Sequence, residues 1–471
     1  MQSTHPLEIP EIVSQVASYV RKHTLKGCAL VSTTWYQAFN PLIWRDISWK
    51  NARPFLEAIH PHTQLVRTFK ADHGINERRK EFLDLRFPNL VSLDLPVTPL
   101  EEDTKEWVLG HSSLTFLRLR GNKLSSVFWN TLLGFRHLED LTVFYPKLSR
   151  KDIDTFWQLC THLERLELFH PEIPHPGNMF SLEFPSIKEF KLRYVVYEVE
   201  IFFLKFMQRC PSLTSLWVDG VHNLEFTSSF SELVAARTWP HLHSITIESH
   251  KITSEALSKI IGGMQQITAL DITCRQGVFA PDFMELLRPH FSNIRVLHLR
   301  SDNDTISLMV QEILASCPLL EQLTAPPIDA SVVAEGKPWV CTKLQKLRLM
   351  FVYKRATYEG STLSGFRPLV FDQLARLVRL EEWCMDNSNW NFAHQVFELT
   401  LGNGLDKLST LRSLRSISLG NTNQNMGQQE IYWILKHWTN LENFKGYLNT
   451  RNSSLNETLK KRLNEHGITG W

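Results

Sequence analysis

A six-residue pattern, apolar-x-x-apolar-x-apolar, recurs from Leu90 to the carboxyl end of this 471-residue chain. Most copies follow one another after about 24 to 29 residues, and a period of this size predicts a row of stacked units that each bury only one face. Such a chain does not fold around one central core. The fourteen copies begin at Leu90, Leu114, Leu138, Leu163, Ile187, Leu213, Leu242, Ile267, Ile294, Leu320, Leu344, Leu380, Leu414 and Leu441.

Each copy predicts one strand and one helix. The second and third apolar positions alternate as in a strand with one buried face, and the remaining residues suffice for a helix that returns to the next strand. The residue three positions before each copy is apolar or cysteine in every case except His111. We interpret this position as a buried site where the helix turns into the strand, and cysteine acts there as a small hydrophobe. The cysteines at this site are Cys160, Cys210, Cys317 and Cys341.

The composition excludes several classes of protein. With 51 basic and 49 acidic residues the net charge is +2, so we expect no nucleic-acid partner. No apolar run reaches the ~18 residues of a membrane span, and the first residues, MQSTHPLEIPEIVSQ, do not form a secretory signal. The seven cysteines form neither a disulfide framework nor a metal-ligand cluster. We therefore expect no membrane, no metal and no cofactor, and a cytoplasmic or nuclear location.

The repeated copies resemble leucine-rich repeats over about three-quarters of the chain. LTFLRLRGN (114–122) places an asparagine at the consensus position of that family, and most other copies do not. The resemblance implies an α/β fold: an irregular solenoid, or horseshoe, with parallel strands on the concave face and helices on the convex face.

The segments on either side of the clear repeats suggest four domains. We expect a helical domain over residues 1–50 and a junction with a degenerate first repeat over 51–86, with VRTFKA (66–71) as its strand. The solenoid then covers 87–450. A capping helix over 451–471 closes it, and Ser454 and Glu457 have the spacing of a capping box.

The stretch CALVSTTWYQAFNPLIWRDI (28–47) concentrates aromatic residues near the start of the chain. Pro10 suits the first turn of a helix. Ser32 can cap a later helix that presents Trp35, Tyr36 and Phe39 before the Asn40-Pro41 pair breaks it. Three short helices bury too little surface to be stable alone, so their apolar side chains must face a neighbouring domain or a partner.

The order and spacing of IPEIV (9–13), ALVSTTW (29–35) and PLIW (41–44) resemble an F-box. An F-box followed by leucine-rich repeats is similar to a divergent, fungal-like substrate receptor. This resemblance implies binding to a Skp-type adaptor and, through it, to the cullin of a ubiquitin ligase. The alternative is that the helices only cap the first repeat. The adaptor contacts that the resemblance implies are Ile9, Pro10, Ile12, Val13, Leu25, Val31, Trp35 and Trp44.

No catalytic motif is present in the sequence. There is no Walker loop, no GxSxG elbow and no HExxH pair, so we expect a binding protein and not an enzyme. The alternative function is a leucine-rich-repeat scaffold, or a regulator of a small GTPase, with no role in ubiquitin transfer. A GTPase activator needs an arginine or asparagine at one rim of the repeats, and the sequence nominates none.

The residues that alternate with the buried positions of each strand should lie on the concave face. Around the fourth to sixth repeats they combine basic and aromatic side chains, which favours an interface. We predict a protein substrate whose acidic part lies against Lys191 and Arg193; the alternative is a merely solvated strand face. The predicted substrate contacts are Arg165, Phe169, Lys191, Arg193, Trp217 and Asp219.

The interval between the copies at Leu344 and Leu380 is longer than most. Its insert, residues 350–371, carries aromatic side chains and the pair Lys354-Arg355 beside glycine and serine. Long loops in compact repeats are usually functional or disordered. The insert is therefore either a loop that folds over the rim and holds substrate, or a segment without such a role.

Overall fold

The computed structural model describes residues 7, 9–20, 22–49, 55–71, 79–95, 102–120, 124–174, 176–195, 200–220, 224–249, 252–273, 279, 281–300, 306–353, 363–385, 395–420 and 422–470. The chain divides into two compact units, Met1–Leu213 and Thr214–Trp471. Both units consist mainly of parallel strands that alternate with helices, which is the predicted α/β fold of leucine-rich-repeat type.

The first unit begins with three helices, as the sequence predicts. Pro10 occupies the first turn of the first helix, and the Ser32 hydroxyl accepts a hydrogen bond from the Trp35 amide at the start of the third. The Asn40-Pro41 pair does not break that helix, because Leu42 and Ile43 pack against the core beyond it and hold the chain helical to Arg45. The helices are α1 (Pro10–Tyr19), α2 (Lys22–Ala29) and α3 (Thr33–Arg45).

A parallel sheet follows in the first unit, with its strands side by side in chain order. The segment VRTFKA contains the predicted strand, and one further strand precedes it directly after α3. The strands are β1 (Asp46–Trp49), β2 (Thr68–Ala71), β3 (Ser92–Leu95), β4 (Phe116–Arg120), β5 (Asp140–Phe144), β6 (Arg165–Phe169) and β7 (Glu189–Arg193). The helices between them are α4 (Phe55–Ile59), α5 (Arg79–Leu83), α6 (Glu102–Leu109), α7 (Ser126–Leu133), α8 (Ile153–Cys160) and α9 (Glu200–Gln208), with 3-10 turns at His60–Leu65 and Met179–Ser181.

The register of these strands aligns equivalent positions of the repeat. Leu117 pairs with Leu141, Leu141 with Leu166, and Leu166 with Phe190, and all four side chains are buried. Because successive side chains of a strand point to opposite faces, the intervening residues form the other face of the sheet. We call this second face of β4 to β7 the open face.

The second unit continues the same alternation. Within its described residues the main sheet has nine parallel strands, and the strands from β12 onward shorten to three residues. They are β8 (Ser215–Asp219), β9 (Ser244–Glu248), β10 (Ala269–Thr273), β11 (Val296–Arg300), β12 (Gln322–Thr324), β14 (Lys346–Arg348), β16 (Glu382–Cys384), β18 (Ser416–Ser418) and β19 (Asn443–Lys445). Its helices are α10 (Leu224–Ala235), α11 (Ser254–Gly263), α12 (Pro281–Leu287), α13 (Ser307–Ser316), α14 (Ala330–Glu335), α15 (Leu363–Leu374), α16 (Gln428–His437) and α17 (Ser453–Glu465), with 3-10 turns at Arg288–His290, Leu401–Asn403 and Leu405–Thr410.

The two ends of the insert over 350–371, which the sequence predicts as a loop, form a strand and part of a helix. A second, small sheet in the second unit contains β13 (Ile328–Asp329), β15 (Phe351–Tyr353) and β17 (Gln395–Val396), and β15 is buried. The insert ends inside α15. Residues 354–362, including the Lys354-Arg355 pair, lie outside the described residues.

The carboxyl-terminal helix α17 is present, but its cap differs from the prediction. The Asn452 side chain accepts a hydrogen bond from the Leu455 amide at 2.9 Å, so Asn452 caps the helix and Ser454 lies inside it. Leu459 and Leu463 are buried, and Gly467 follows with a φ of +80°. The helix therefore seals the last repeat with an apolar face.

The buried site before each strand is built as predicted. Cys160, Cys210, Cys317 and Cys341 are buried there. His111 fits the same site as a neutral imidazole: Nδ1 lies 2.8 Å from the Trp107 carbonyl, and Nε2 is 3.4 Å from the Phe87 amide that donates to it. Burial lowers the pKa of His111, with a smaller contribution from Arg86.

Candidate functional site

The three amino-terminal helices form a small core of their own. Val13 and Ala17 of α1, Leu25 and Ala29 of α2, and Phe39 of α3 are buried together. The sequence placed Val13 and Leu25 among the adaptor contacts and Phe39 among the presented residues. The structure corrects this, because side chains inside the core can support a binding surface but cannot form it.

The same helices expose many large apolar side chains. Leu30 is 86% exposed and Val31 is 63% exposed in the turn between α2 and α3, and Tyr36 is 48% exposed in the first turn of α3. Leu7 is also exposed, and its carbonyl accepts a hydrogen bond from the Trp35 indole at 2.8 Å, which places it beside that turn. We call Leu7, Leu30, Val31 and Tyr36 the apolar patch.

Of the other predicted adaptor residues, some lie on the surface and others hold the apolar patch in place. Pro10 and Ile12 are exposed on α1, and Ile9 is half-buried. Trp35 stacks on Phe39 with ring centroids 5.2 Å apart, so it holds the patch in place more than it forms it. The sequence did not predict Leu30 as an adaptor contact; in that turn it predicted only the neighbouring Val31.

Trp44 joins the helices to the first repeats. Its indole donates a hydrogen bond to Asn40 at 2.9 Å, and its ring stacks on His62 of the 3-10 turn with centroids 4.4 Å apart. Arg45 ends α3 and Asp46 begins β1 without an intervening residue. Trp44 is therefore a junction residue.

The open face of the first unit consists of three rows that run across its strands. The first row is Phe116, Asp140, Arg165 and Glu189; the second is Arg118, Thr142, Glu167 and Lys191; the third is Arg120, Phe144, Phe169 and Arg193. The third row differs in chemistry from the first two, and the predicted substrate residues Arg165, Lys191, Phe169 and Arg193 are spread over the three rows.

The first two rows place positive and negative side chains next to one another. Arg165 donates through Nε to Asp140 at 2.7 Å, and this hydrogen bond raises the pKa of Arg165. Arg118 lies 3.9 Å from Glu167, and Lys191 is the register partner of Glu167. These side chains line a shallow pocket whose charges largely balance one another. Arg165 is thus occupied by a neighbour in the sheet.

The third row is aromatic and cationic, and it continues into three residues that follow the strands. Phe144 and Phe169 contact each other with centroids 5.2 Å apart. Beyond them the ring of Tyr145 stacks on His170 at 5.1 Å, and His170 stacks on Tyr194 at 4.9 Å. We call Tyr145, His170 and Tyr194 the aromatic ledge.

Arginines of the third row lie against the same rings. The guanidinium carbon of Arg120 is 4.8 Å from the centroid of Tyr145. That of Arg193 is 5.2 Å from Phe169 and 5.8 Å from Tyr194. Contacts of this kind between a cation and a ring face are attractive, so they hold both arginines at the edge of the sheet.

The three ledge residues share a backbone conformation that side chains rarely adopt. Their φ angles are 54° at Tyr145, 51° at His170 and 53° at Tyr194. The amide of Tyr145 donates to the Phe169 carbonyl, and that of His170 donates to the Arg193 carbonyl. For residues other than glycine this left-handed region costs about 1–2 kcal/mol each. Strain of this kind concentrates at functional sites.

The sequence analysis did not identify the ledge, although a signal exists. Phe144-Tyr145-Pro146 and Phe169-His170-Pro171 repeat the order phenylalanine, aromatic ring, proline after successive strands. Of the predicted substrate residues, Arg165, Phe169, Lys191 and Arg193 lie on the open face. Trp217 and Asp219 lie in β8 of the second unit, where Trp217 is half-buried; Asp219 is buried and cannot be an open contact.

Among the described residues, no group of three or more histidine, cysteine or carboxylate side chains could hold a metal ion. In that part of the chain, no helix has both the length and the apolar character that a membrane crossing needs.

Comparisons with known proteins add little to this geometry. No protein-family model and no curated protein matches the sequence. A crystal structure of a TLR13–ssRNA13 complex has 13% sequence identity and a TM-score of 0.29, over 88% of this chain and 55% of that one. This chain thus spans about half the length of that protein. A similarity of this size carries no argument about ligand or partner.

Proposed function

We propose that this protein is the substrate-recognition subunit of an SCF-type cullin ubiquitin ligase. In this proposal α1 to α3 bind a Skp-type adaptor, and the repeats bind a protein substrate. The observation that carries it is the apolar patch on a unit with the residue order of an F-box. Contiguous apolar side chains on a surface usually mark an interaction site.

A pure capping role for the helices accounts less well for the patch. The surface that a cap needs is already provided by Trp44, which stacks on His62, and by the direct join between α3 and β1. Leu30, Val31 and Tyr36 lie at the opposite end of α3 from that join. They are therefore available to a partner, and Pro10 and Ile12 of α1 extend the apolar surface.

The test is copurification of a Skp-type adaptor and cullin with the tagged chain. Leu30→Lys combined with Val31→Lys places two charges on the patch without touching the buried core, and should abolish adaptor recovery. Loss of a central apolar contact in an interface commonly costs about 2 kcal/mol or more. Val127→Lys with Leu308→Lys is the matched control, since these residues are 69% and 73% exposed on helices of the repeats.

Equal adaptor recovery with the patch variant and its control would contradict the proposal. Recovery of a small GTPase in place of adaptor and cullin would favour the alternative role as a GTPase regulator. Trp35→Ala is a poor probe here, because it removes the stack on Phe39 and the hydrogen bond to Leu7, and so loosens the helices themselves.

A further inference from the structure

The aromatic ledge has properties that a solvated strand edge does not require. It combines three strained residues, two stacked ring pairs and two arginines held over rings. Tyr145 and Tyr194 nevertheless remain 38% and 43% exposed. The arrangement therefore fixes a set of polar and aromatic groups in position and leaves part of them open to solvent.

The rings of the ledge offer mainly their edges. His170 has a tyrosine on each side, at 5.1 and 4.9 Å. Tyr145 has His170 on the side of β6 and Arg120 on the side of β4, so both of its faces are covered. The edge of an aromatic ring carries partial positive charge, and a tyrosine hydroxyl can donate a hydrogen bond. The exposed part of the ledge thus favours an electron-rich group.

The charges around the ledge also favour an electron-rich ligand. The third row carries Arg120 and Arg193 and no carboxylate, and the ledge itself carries none. Glu167 of the second row lies 4.0 Å from Arg193. Guanidinium groups bind carboxylates in a forked geometry, and an arginine held over a ring loses little freedom when it does so.

We infer that the ledge, with Arg120 and Arg193 on either side of it, binds an acidic segment of a protein substrate. This deepens the substrate-binding part of the proposed function and places the acidic contacts at Arg120 and Arg193, at the carboxyl-terminal edge of the strands, where the sequence predicted Lys191 and Arg193. A cationic ligand is disfavoured because guanidinium groups already lie over the rings. Single-stranded nucleic acid needs open ring faces on which bases stack, and both faces of Tyr145 and of His170 are covered.

The sheet geometry sets the spacing of the acidic groups. Arg120 and Arg193 belong to β4 and β7, which are three strand positions apart, so about 14 Å separates their backbones. An extended segment advances about 3.3 Å per residue and returns to the same face at every second residue. Two carboxylates four positions apart, about 13 Å, therefore match the two arginines.

Fluorescence polarisation with the purified full chain tests this inference. The probe is a fluorescein-labelled peptide, GSEAPAESG, in which the glutamates are four positions apart. The comparison peptides are GSEEAPASG, with adjacent glutamates, and GSQAPAQSG, without charge. We expect the first peptide to bind at least about tenfold more tightly than either of the others.

Two sets of variants locate the binding. Arg120→Gln with Arg193→Gln should weaken binding of GSEAPAESG at least about tenfold. Arg295→Gln with Arg415→Gln removes the same charge from exposed arginines of the second unit and should leave binding within about twofold. Tyr145→Phe with Tyr194→Phe keeps the stacked rings and removes only the hydroxyls, so it should weaken binding by a few-fold.

The inference is wrong if the wild type does not bind GSEAPAESG, if the three peptides bind alike, or if the two arginine pairs have equal effects. Tighter binding of a labelled oligouridine, lost in the Arg120/Arg193 variant, would overturn it in favour of nucleic acid. The assay contains no adaptor. Its failure would therefore leave adaptor copurification untouched, and the two proposals fail separately.

Discussion

Turns with positive φ follow strands in both units, but different residue types occupy them. In the first unit Tyr145, His170 and Tyr194 follow β5, β6 and β7 with positive φ. In the second unit Gly220 occupies the corresponding left-handed position after β8, and Gly420 and Gly446 have positive φ one and two positions earlier in their own repeats. The Gly220 amide donates to the last carbonyl of the next strand, as the Tyr145 amide does.

This difference shows that the turn itself does not need a side chain. Glycine reaches positive φ without the clash that burdens other residues. The first unit instead holds bulky rings there, and two of them precede proline, where the backbone is restricted further. Ring stacking offsets part of the strain, at about 0.5–1.5 kcal/mol for each pair. The side chains are therefore retained for the surface that they create.

The largest expected effect comes from placing a side chain at a glycine of the second unit. A Cβ at Gly446 would lie 2.9 Å from the Gly420 carbonyl oxygen, and φ is +108°. Gly446→Ala should lower the free energy of unfolding by more than about 2 kcal/mol, measured by urea denaturation. Gly402→Ala is the control, because a Cβ there meets nothing within 4 Å. Equal effects of the two changes would show that the left-handed turn at Gly446 does not require glycine.

A pair of substitutions at His170 separates ring stacking from backbone strain. His170→Ala removes both stacks and keeps the strain, so it should destabilise the protein by about 1–2 kcal/mol. His170→Gly also removes the stacks but relieves the strain, and should be less damaging by about 0.5–1 kcal/mol. The measurement is again urea denaturation. A glycine variant less stable than the alanine variant would show that the turn is not strained.

The buried histidines of the two units should respond to pH in the same way, since burial lowers the pKa of both His111 and His290. Below about pH 6.5 an unfolded chain takes up a proton on His111 that the folded chain does not. Stability should therefore fall as the pH drops from about 6.5 toward the lowered pKa of the folded state. His111→Gln should remove part of this slope in denaturation measured between pH 7 and 5. His241→Gln, at an exposed site of the second unit, is the control.

The smallest effect is expected where the strands begin, because the two units are alike there. Burial raises the pKa of Cys160 and Cys210 in the first unit, and it raises the pKa of Cys317 and Cys341 in the second to about 12. At pH 8 these thiols should resist iodoacetamide in the native protein, while the half-buried Cys28 reacts. Peptide mapping by mass spectrometry gives the result. Rapid labelling of one unit's pair would show that the strand starts differ too.

The sequence predicts the repeat well because the same pattern of buried residues recurs in each repeat. Every copy of the apolar pattern contains a strand, and the buried position before it is occupied as expected. The strand β1 was not predicted, since DISW (46–49) lacks the leucine pattern and its pairing depends on β2. The predicted break at Pro41 failed for a similar reason: packing of Leu42 and Ile43 outweighs a local helix-breaking signal.

The candidate sites are less predictable because they depend on contacts between repeats. The pattern places Phe169 and Arg193 on the open face, and the structure puts them in contact. It does not reveal that Tyr145, His170 and Tyr194 adopt positive φ, since tyrosine and histidine are not typical of that region. At the amino terminus, helical spacing could not distinguish Phe39, which is buried, from Tyr36, which is exposed.

The direct join between α3 and β1 has a consequence for geometry. No linker residue separates Arg45 from Asp46, the Arg67 amide donates to the Arg45 carbonyl at 2.8 Å, and Trp44 is stacked on His62. A flexible linker would spread a bound partner over a wide volume. Here an adaptor on the helices and a segment on the ledge would instead keep a constant separation and orientation. Under the proposed function, the substrate lysines at one fixed distance from the ledge would then receive ubiquitin most often, whatever sequence surrounds them.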